Sequence, residues 1–252
     1  MFAISIPEYC LRPFHEVLEE FAPHFRAWEV VAEVEHDMEK VWRAMNQVRE
    51  QGRMAFQVHA PFSDLNVASL NETMRLHAVA YLRRALDLAV RAGVEIVTVH
   101  PGVISPIGAY ARERMLRKAV ESLRELAIHA DNIGIPICVE NMPHGRWALM
   151  STASEAERIC EETGLGLCYD VGHAHLAGQE REFLALADRF VNLHLHDNDR
   201  SWDQHLTVGK GGADFKALLG VLGNYRGRIV IEARSLESAL ESVKRLRVLG
   251  YG

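Results

Sequence analysis

Residues 190–205 read FVNLHLHDNDRSWDQH, an alternating apolar run that passes into three histidines and three aspartates between His194 and His205. Phe190, Leu193 and Leu195 describe a strand that is buried for most of its length. The imidazoles at its end need an explanation, because a buried histidine is tolerated only where something satisfies both ring nitrogens. A short β-rich run ending in ligand-type side chains is the motif that decides the fold, because it recurs along the chain.

Eight such runs are present: FAISIP (2–7), WEVVAE (28–33), MAFQVHAP (54–61), EIVTVHPG (95–102), IPICVENMP (135–143), LGLCYDVGH (165–173), FVNLHLHD (190–197) and RIVIEAR (228–234). Helical segments separate them, most clearly residues 69–93, which Gly93 should stop, and residues 110–134, which Gly134 should close. No glycine-rich dinucleotide fingerprint follows the first run. Strands alternating with helices over 252 residues therefore predict an α/β chain forming a single (β/α)8 barrel, one domain spanning 1–252, rather than an open doubly wound sheet.

Composition narrows the function classes. The chain is 48% apolar and 25% charged, with a formal net charge of −6, so it has the makings of a large core and no general attraction to nucleic acid. No apolar run reaches the roughly 20 residues of a membrane span, and MFAISIPEYC lacks the basic start of a signal peptide. A cytoplasmic location is expected. Cys10, Cys138, Cys160 and Cys168 form no C-x-x-C pair and are expected to be free thiols.

His59, His100, Glu140, Asp170, His194 and Glu232 each fall at or just after the end of a predicted strand, the end where barrel enzymes build their sites. Alternation pairs them inward with Gln57, Thr98, Cys138, Cys168 and, for Glu232, Val230. Taken singly, His100 before Pro101 reads equally well as a core imidazole. Six such groups at one mouth do not, since so many carboxylates need cations to offset repulsion and desolvation. A divalent metal is expected, and mixed imidazole and carboxylate donors point to zinc or manganese.

In order along nearly the whole chain, HAPFSDLN, VHPG, VENMP, DVGH, HLHDND, DQH and IEAR resemble the xylose isomerase-like TIM barrels, a group that includes sugar and sugar-phosphate isomerases and epimerases and endonuclease IV. The endonuclease IV-like pattern implies up to three ions held by His59, His100, Glu140, Asp170, His173, His194, Asp203, His205 and Glu232. The isomerase and epimerase pattern implies one ion held by Glu140, Asp170, His194 and Glu232, with His173 and Arg200 near the substrate. In that branch Glu140 and Glu232 would move a proton through a metal-stabilised enediolate, with His173 as a third catalytic group. His196, Lys210 in its Gly-rich loop and Trp202 are expected substrate contacts, while Trp147 reads equally well as part of a lid packed on its own loop.

Loops without a basic track favour the isomerase or epimerase over a DNA phosphodiesterase. The expected partner is thus a small sugar, sugar phosphate or related polyol, with neither membrane nor nucleic acid; a homo-oligomer is compatible with this composition. Glu→Gln at position 140 or 232 is expected to abolish activity and, by relieving carboxylate repulsion, to stabilise the metal-free chain.

Overall fold

A computed structural model of the protein describes residues 2–223 and 225–251. Its strands are β1 (Phe2–Ser5), β2 (Ala27–Val31), β3 (Ala55–His59), β4 (Val97–Val99), β5 (Ile137–Glu140), β6 (Gly166–Asp170), β7 (Phe190–Leu195) and β8 (Ile229–Glu232). They are parallel and hydrogen-bonded in sequence order, and β1 closes the ring on β8. Each of the eight β-rich runs supplies one strand, so the expected barrel is present.

The helices are α1 (Phe14–Phe21), α2 (Met38–Glu50), α3 (Glu72–Ala92), α4 (Arg112–Ile133), α5 (Ala153–Thr163), α6 (Val171–Ala177), α7 (Glu180–Leu184), α8 (Phe215–Val221) and α9 (Leu236–Leu249). On α3, Ala78, Leu82, Ala85, Leu86 and Ala89 recur at helical spacing and are buried, so that face seals the outside of the sheet. Asn71 caps its N-terminus through the Met74 amide, and Gly93 ends it at φ +69. Gly134 ends α4 in the same left-handed conformation, at φ +74. Among the described residues no helix is long and apolar enough to cross a membrane, and all four cysteines are buried free thiols.

Side chains inside the barrel fall into layers. Ala3, Ala27, Ala55 and Val230 pack together at one level. Above them comes a polar floor of Glu29, Gln57, Thr98 and Asn192, joined by hydrogen bonds and fully or almost fully buried. Strand alternation then carries the next inward positions, His59, Glu140, Asp170, His194 and Glu232, to the mouth.

Candidate metal centre

Glu140, Asp170 and Glu232 end β5, β6 and β8, His194 is the penultimate residue of β7, and their ligand-type atoms lie within 4.8 Å of one another. His194 Nδ1 is 3.0 Å from Glu140 Oε1 and 3.0 Å from Glu232 Oε1. The other Glu140 oxygen, Oε2, is 3.0 Å from His59 Nε2 and 3.1 Å from His100 Nε2, forming a second set. A third set joins His173, His196, Asp203 and His205. Glu140 therefore faces two of the three sets at once.

Hydrogen bonds orient these rings. His59 Nδ1 donates to the Ala60 carbonyl at 3.0 Å, and His173 Nδ1 donates to the Asn141 carbonyl at 2.8 Å, so each presents Nε2 to the carboxylates. Asn141 clamps the Asp170 backbone at both its N–H and its carbonyl. Asp170 Oδ1 accepts the His173 amide at 2.7 Å, capping α6. The same aspartate thus starts a helix and turns its other oxygen into the barrel.

The charges balance internally. Burial pushes the Glu140 carboxyl up, but the His194, His100 and His59 imidazoles outweigh it and hold the group well below the usual range. Burial likewise opposes ionisation of Glu232, yet His194 and His205 bring it down to about 2. Asp203 is held far below its ordinary value against burial, chiefly by His173. Conversely, burial disfavours the charged form of His194, and the Glu29, Glu232 and Glu140 carboxylates around it carry it well above its ordinary value. His173 is raised similarly, by Asp170 and Asp203 against burial. His100 is lowered, first by burial. Protonated histidines therefore favour the ionised carboxylates of the metal-free site, so a Glu→Gln change removes a partner as well as a repulsion.

A cation fits the donors. Asp170 Oδ2, both ring nitrogens of His196, Asp203 Oδ1 and His205 Nδ1 are buried without a hydrogen-bond partner. His196 Nε2 lies 3.1 Å from Asp170 Oδ1 and 3.5 Å from Asp203 Oδ1, but without hydrogen-bond alignment. Its ring stacks on His205 at 4.0 Å, and His205 holds a left-handed φ of +50, a conformation uncommon outside glycine and a frequent mark of functional sites. Gly172 makes room for this ring, since a Cβ there would lie 2.0 Å from His196 Cε1.

A cavity of about 310 Å³ opens over these groups, lined by His59, His100, Glu140, His173, Asp203, His205 and Glu232, with Phe62, Met142 and Pro143 as apolar walls. The substrate contacts expected from sequence do not line it. Arg200 is turned to Glu180 Oε2 at 3.0 Å, Trp202 is exposed, and His196 is fully buried. Lys210 borders a separate, wider crevice of about 730 Å³ beside α9, together with Glu237, Glu241 and Lys244. A short polar loop is free to point its side chains outward, and sequence spacing alone does not fix that choice.

Sequence reading overlooked Glu29, a lone carboxylate in an otherwise apolar strand, whose period-two alignment with Val31 was the available signal. It also missed the part played by Asp197. That buried carboxylate accepts the backbone N–H groups of Asn198, Gly209, Gly211 and Ala213 at 2.9–3.1 Å, tying the β7–α8 loop to the barrel. Asp197→Ala is expected to cost about 2–4 kcal/mol, because four backbone donors, one of them buried, lose a charged acceptor. Denaturant unfolding measures the loss; a change under about 1 kcal/mol would mean that water replaces the carboxylate.

These features agree with what the chain is similar to. A family model described as a xylose isomerase-like TIM barrel matches residues 14–249. The uncharacterized protein MJ1311 of Methanocaldococcus jannaschii is 34% identical over 241 residues, which span 91% of this chain and 82% of that protein. A crystal structure of a D-tagatose 3-epimerase-like protein superposes with a TM-score of 0.90 and 32% identity, covering 98% of this chain and 96% of the other. The probable endonuclease 4 of Mycobacterium leprae is 27% identical over 177 residues, 66% of this chain and 67% of that protein. The closed parallel barrel, the ligand-type side chains at its mouth and the match over most of the length lead to one assignment: the chain belongs to the xylose isomerase-like TIM barrel family.

Proposed function

We propose that the protein is a divalent-metal-dependent isomerase or epimerase of a small sugar, sugar phosphate or related polyol. The observation that carries this reading is the cavity: about 310 Å³, at the small end of ordinary ligand pockets, with Glu140 and Glu232 both in its wall. Its volume suits a compact polar molecule. The likeness to an epimerase-like structure at 32% identity over 98% of the chain supports the same class.

Glu140, Asp170, His194 and Glu232 would hold the central ion, zinc or manganese by their donor mix. When bound, such an ion supplies Lewis acidity to neighbouring hydroxyl and carbonyl oxygens of the substrate. The chain's own residues do the rest. Glu140 and Glu232 lie three strands apart on an eight-strand ring, so one carboxylate removes a carbon-bound proton and the other returns it. His173, fixed by the Asn141 carbonyl, turns its Nε2 to the cavity and to Asp203. Phe62, Met142 and Pro143 keep water from the reacting carbon.

A specific observation favours a second reading, an endonuclease IV-like phosphodiesterase. The His59, His100, Glu140 set and the His173, His196, Asp203, His205 set exceed what one ion needs and would accept two more. Against it, Arg234, the only Lys or Arg side chain among the described residues lining the cavity, is engaged by Glu8 and by the Asp203 and Gln204 carbonyls rather than free for a phosphate backbone. The two readings separate in one comparison. Metal-loaded protein incubated with a panel of sugars and sugar phosphates in deuterated water is expected to place deuterium at a carbon-bound position. Cleavage of an abasic oligonucleotide without such exchange would transfer the assignment to the phosphodiesterase.

A further inference from the structure

Glu29 sits in the middle of β2, fully buried in the barrel floor, in register with Gln57 on β3. Carboxylates are almost never buried so completely without a partner. Its Oε1 lies 2.8 Å from His194 Nε2 without hydrogen-bond alignment and has no other partner, its Oε2 accepts from Asn192 Nδ2 at 2.9 Å, and that amide also reaches His194 Nε2 at 3.3 Å. Asn192 is held in turn by Thr98 Oγ1 at 3.1 Å and by Gln57, which donates to its Oδ1 at 3.2 Å. The network therefore fixes the carboxylate from below while His194 meets it from above.

The two nitrogens of His194 face different worlds. Nδ1 points to Glu140 and Glu232, each at 3.0 Å, and Nε2 points away from them to Glu29. His59 and His173 anchor their rear nitrogens on the backbone carbonyls of Ala60 and Asn141. Behind the rear nitrogen of His194 stands a carboxylate, a stronger acceptor for an imidazole N–H, whose Oε1 is otherwise unpartnered.

We infer that Glu29 is a positioning residue, absent from the ligand sets, that holds His194 with its proton on Nε2 and its Nδ1 lone pair turned to a divalent ion. The inference rests on the reading of the central set as a metal site. A proton fixed on Nε2 leaves Nδ1 free to ligate, and hydrogen bonding of Nε2–H to a carboxylate raises the donor strength of Nδ1. Asn192 keeps Glu29 from rotating out of line.

The test measures zinc binding by competition with a chromophoric chelator and follows His194 by nitrogen-15 NMR of zinc-loaded protein. Glu29→Leu removes the acceptor and is expected to weaken the zinc ion that perturbs the His194 signals by about 10–100-fold, the size typical of outer partners of metal ligands. The Nε2-bound proton signal of His194 is expected to lose its downfield, hydrogen-bonded position. Glu29→Gln is isosteric, folds if the leucine variant does not, and is expected to lose a smaller but measurable part of the affinity. Unchanged zinc affinity and unchanged His194 signals in the Gln variant, with only a lowered unfolding temperature of the metal-free chain, would make Glu29 a structural brace and overturn the inference. Wild-type protein that binds no zinc, manganese or cobalt would instead overturn the metal reading on which it rests.

Discussion

Glu140→Gln is expected to lower turnover on the true substrate by at least about 10²-fold, the lower bound for removing a general acid-base group. Loss of a charged ligand shared by two sets adds to that, because Oε1 faces His194 and Oε2 faces His59 and His100. The same variant is expected to destabilise the metal-free chain. Glu140 is held ionised by those three imidazoles in spite of its burial, so an amide leaves the two whose protonated form is favoured, His59 and His194, without their counter-charge. Breaking a buried ion pair from one side costs about 3–5 kcal/mol. Histidines that shed their protons recover some of this, and an expected loss of about 1–3 kcal/mol remains, or roughly 2–4 °C per kcal/mol for a domain of this size. Turnover measured beside calorimetry of chelated protein checks both halves. A chelated Gln variant more stable than the parent would show that carboxylate repulsion dominates the mouth.

Much of the barrel was legible because two periods in the sequence agree with each other. Val97–Val99 and Ile137–Glu140 are buried on both faces, as strands covered by helices must be, while α3 and α4 show a helical stripe and end on Gly93 and Gly134. The six mouth positions were legible for the same reason, since a strand's alternation fixes which residues point inward. Legibility ends where the backbone leaves the strands. Arg200 follows β7 by five residues and sits at φ +68, which no apolar pattern announces, and the turn carries it to Glu180. His196 is two residues beyond His194 and shares its face, as alternation requires, but its depth under His205 depends on the small Gly172 of a neighbouring element. Glu29 escaped notice because a single polar residue in an apolar strand has no periodicity of its own; its partner, His194, lies 165 positions away.

Metal removal is expected to invert the pH dependence of stability. Among the mouth groups, His59, His173, His194 and His205 have folded values raised above the ordinary imidazole, so they stabilise the metal-free fold at pH below about 6.5. That contribution is lost as pH rises through their folded values. Glu140, Glu232 and Asp203 are lowered, so they stabilise above the ordinary carboxyl range near pH 4 and lose the effect as acid carries pH down through their folded values, about 2 for Glu232. The chelated chain should therefore be most stable between about pH 4.5 and 6.5 and weaken toward pH 9. A bound ion requires the same histidines to be unprotonated, so its affinity rises with pH over the interval in which the metal-free chain weakens. With zinc at about 1,000 times its dissociation constant, the loaded protein gains about 4 kcal/mol, or roughly 8–16 °C. Scanning calorimetry from pH 5 to 9, with chelator and with zinc, is expected to give unfolding temperatures that diverge steadily as pH increases. Two curves separated by a constant offset would mean that the mouth histidines do not release protons when the ion binds, and that the ion is held elsewhere.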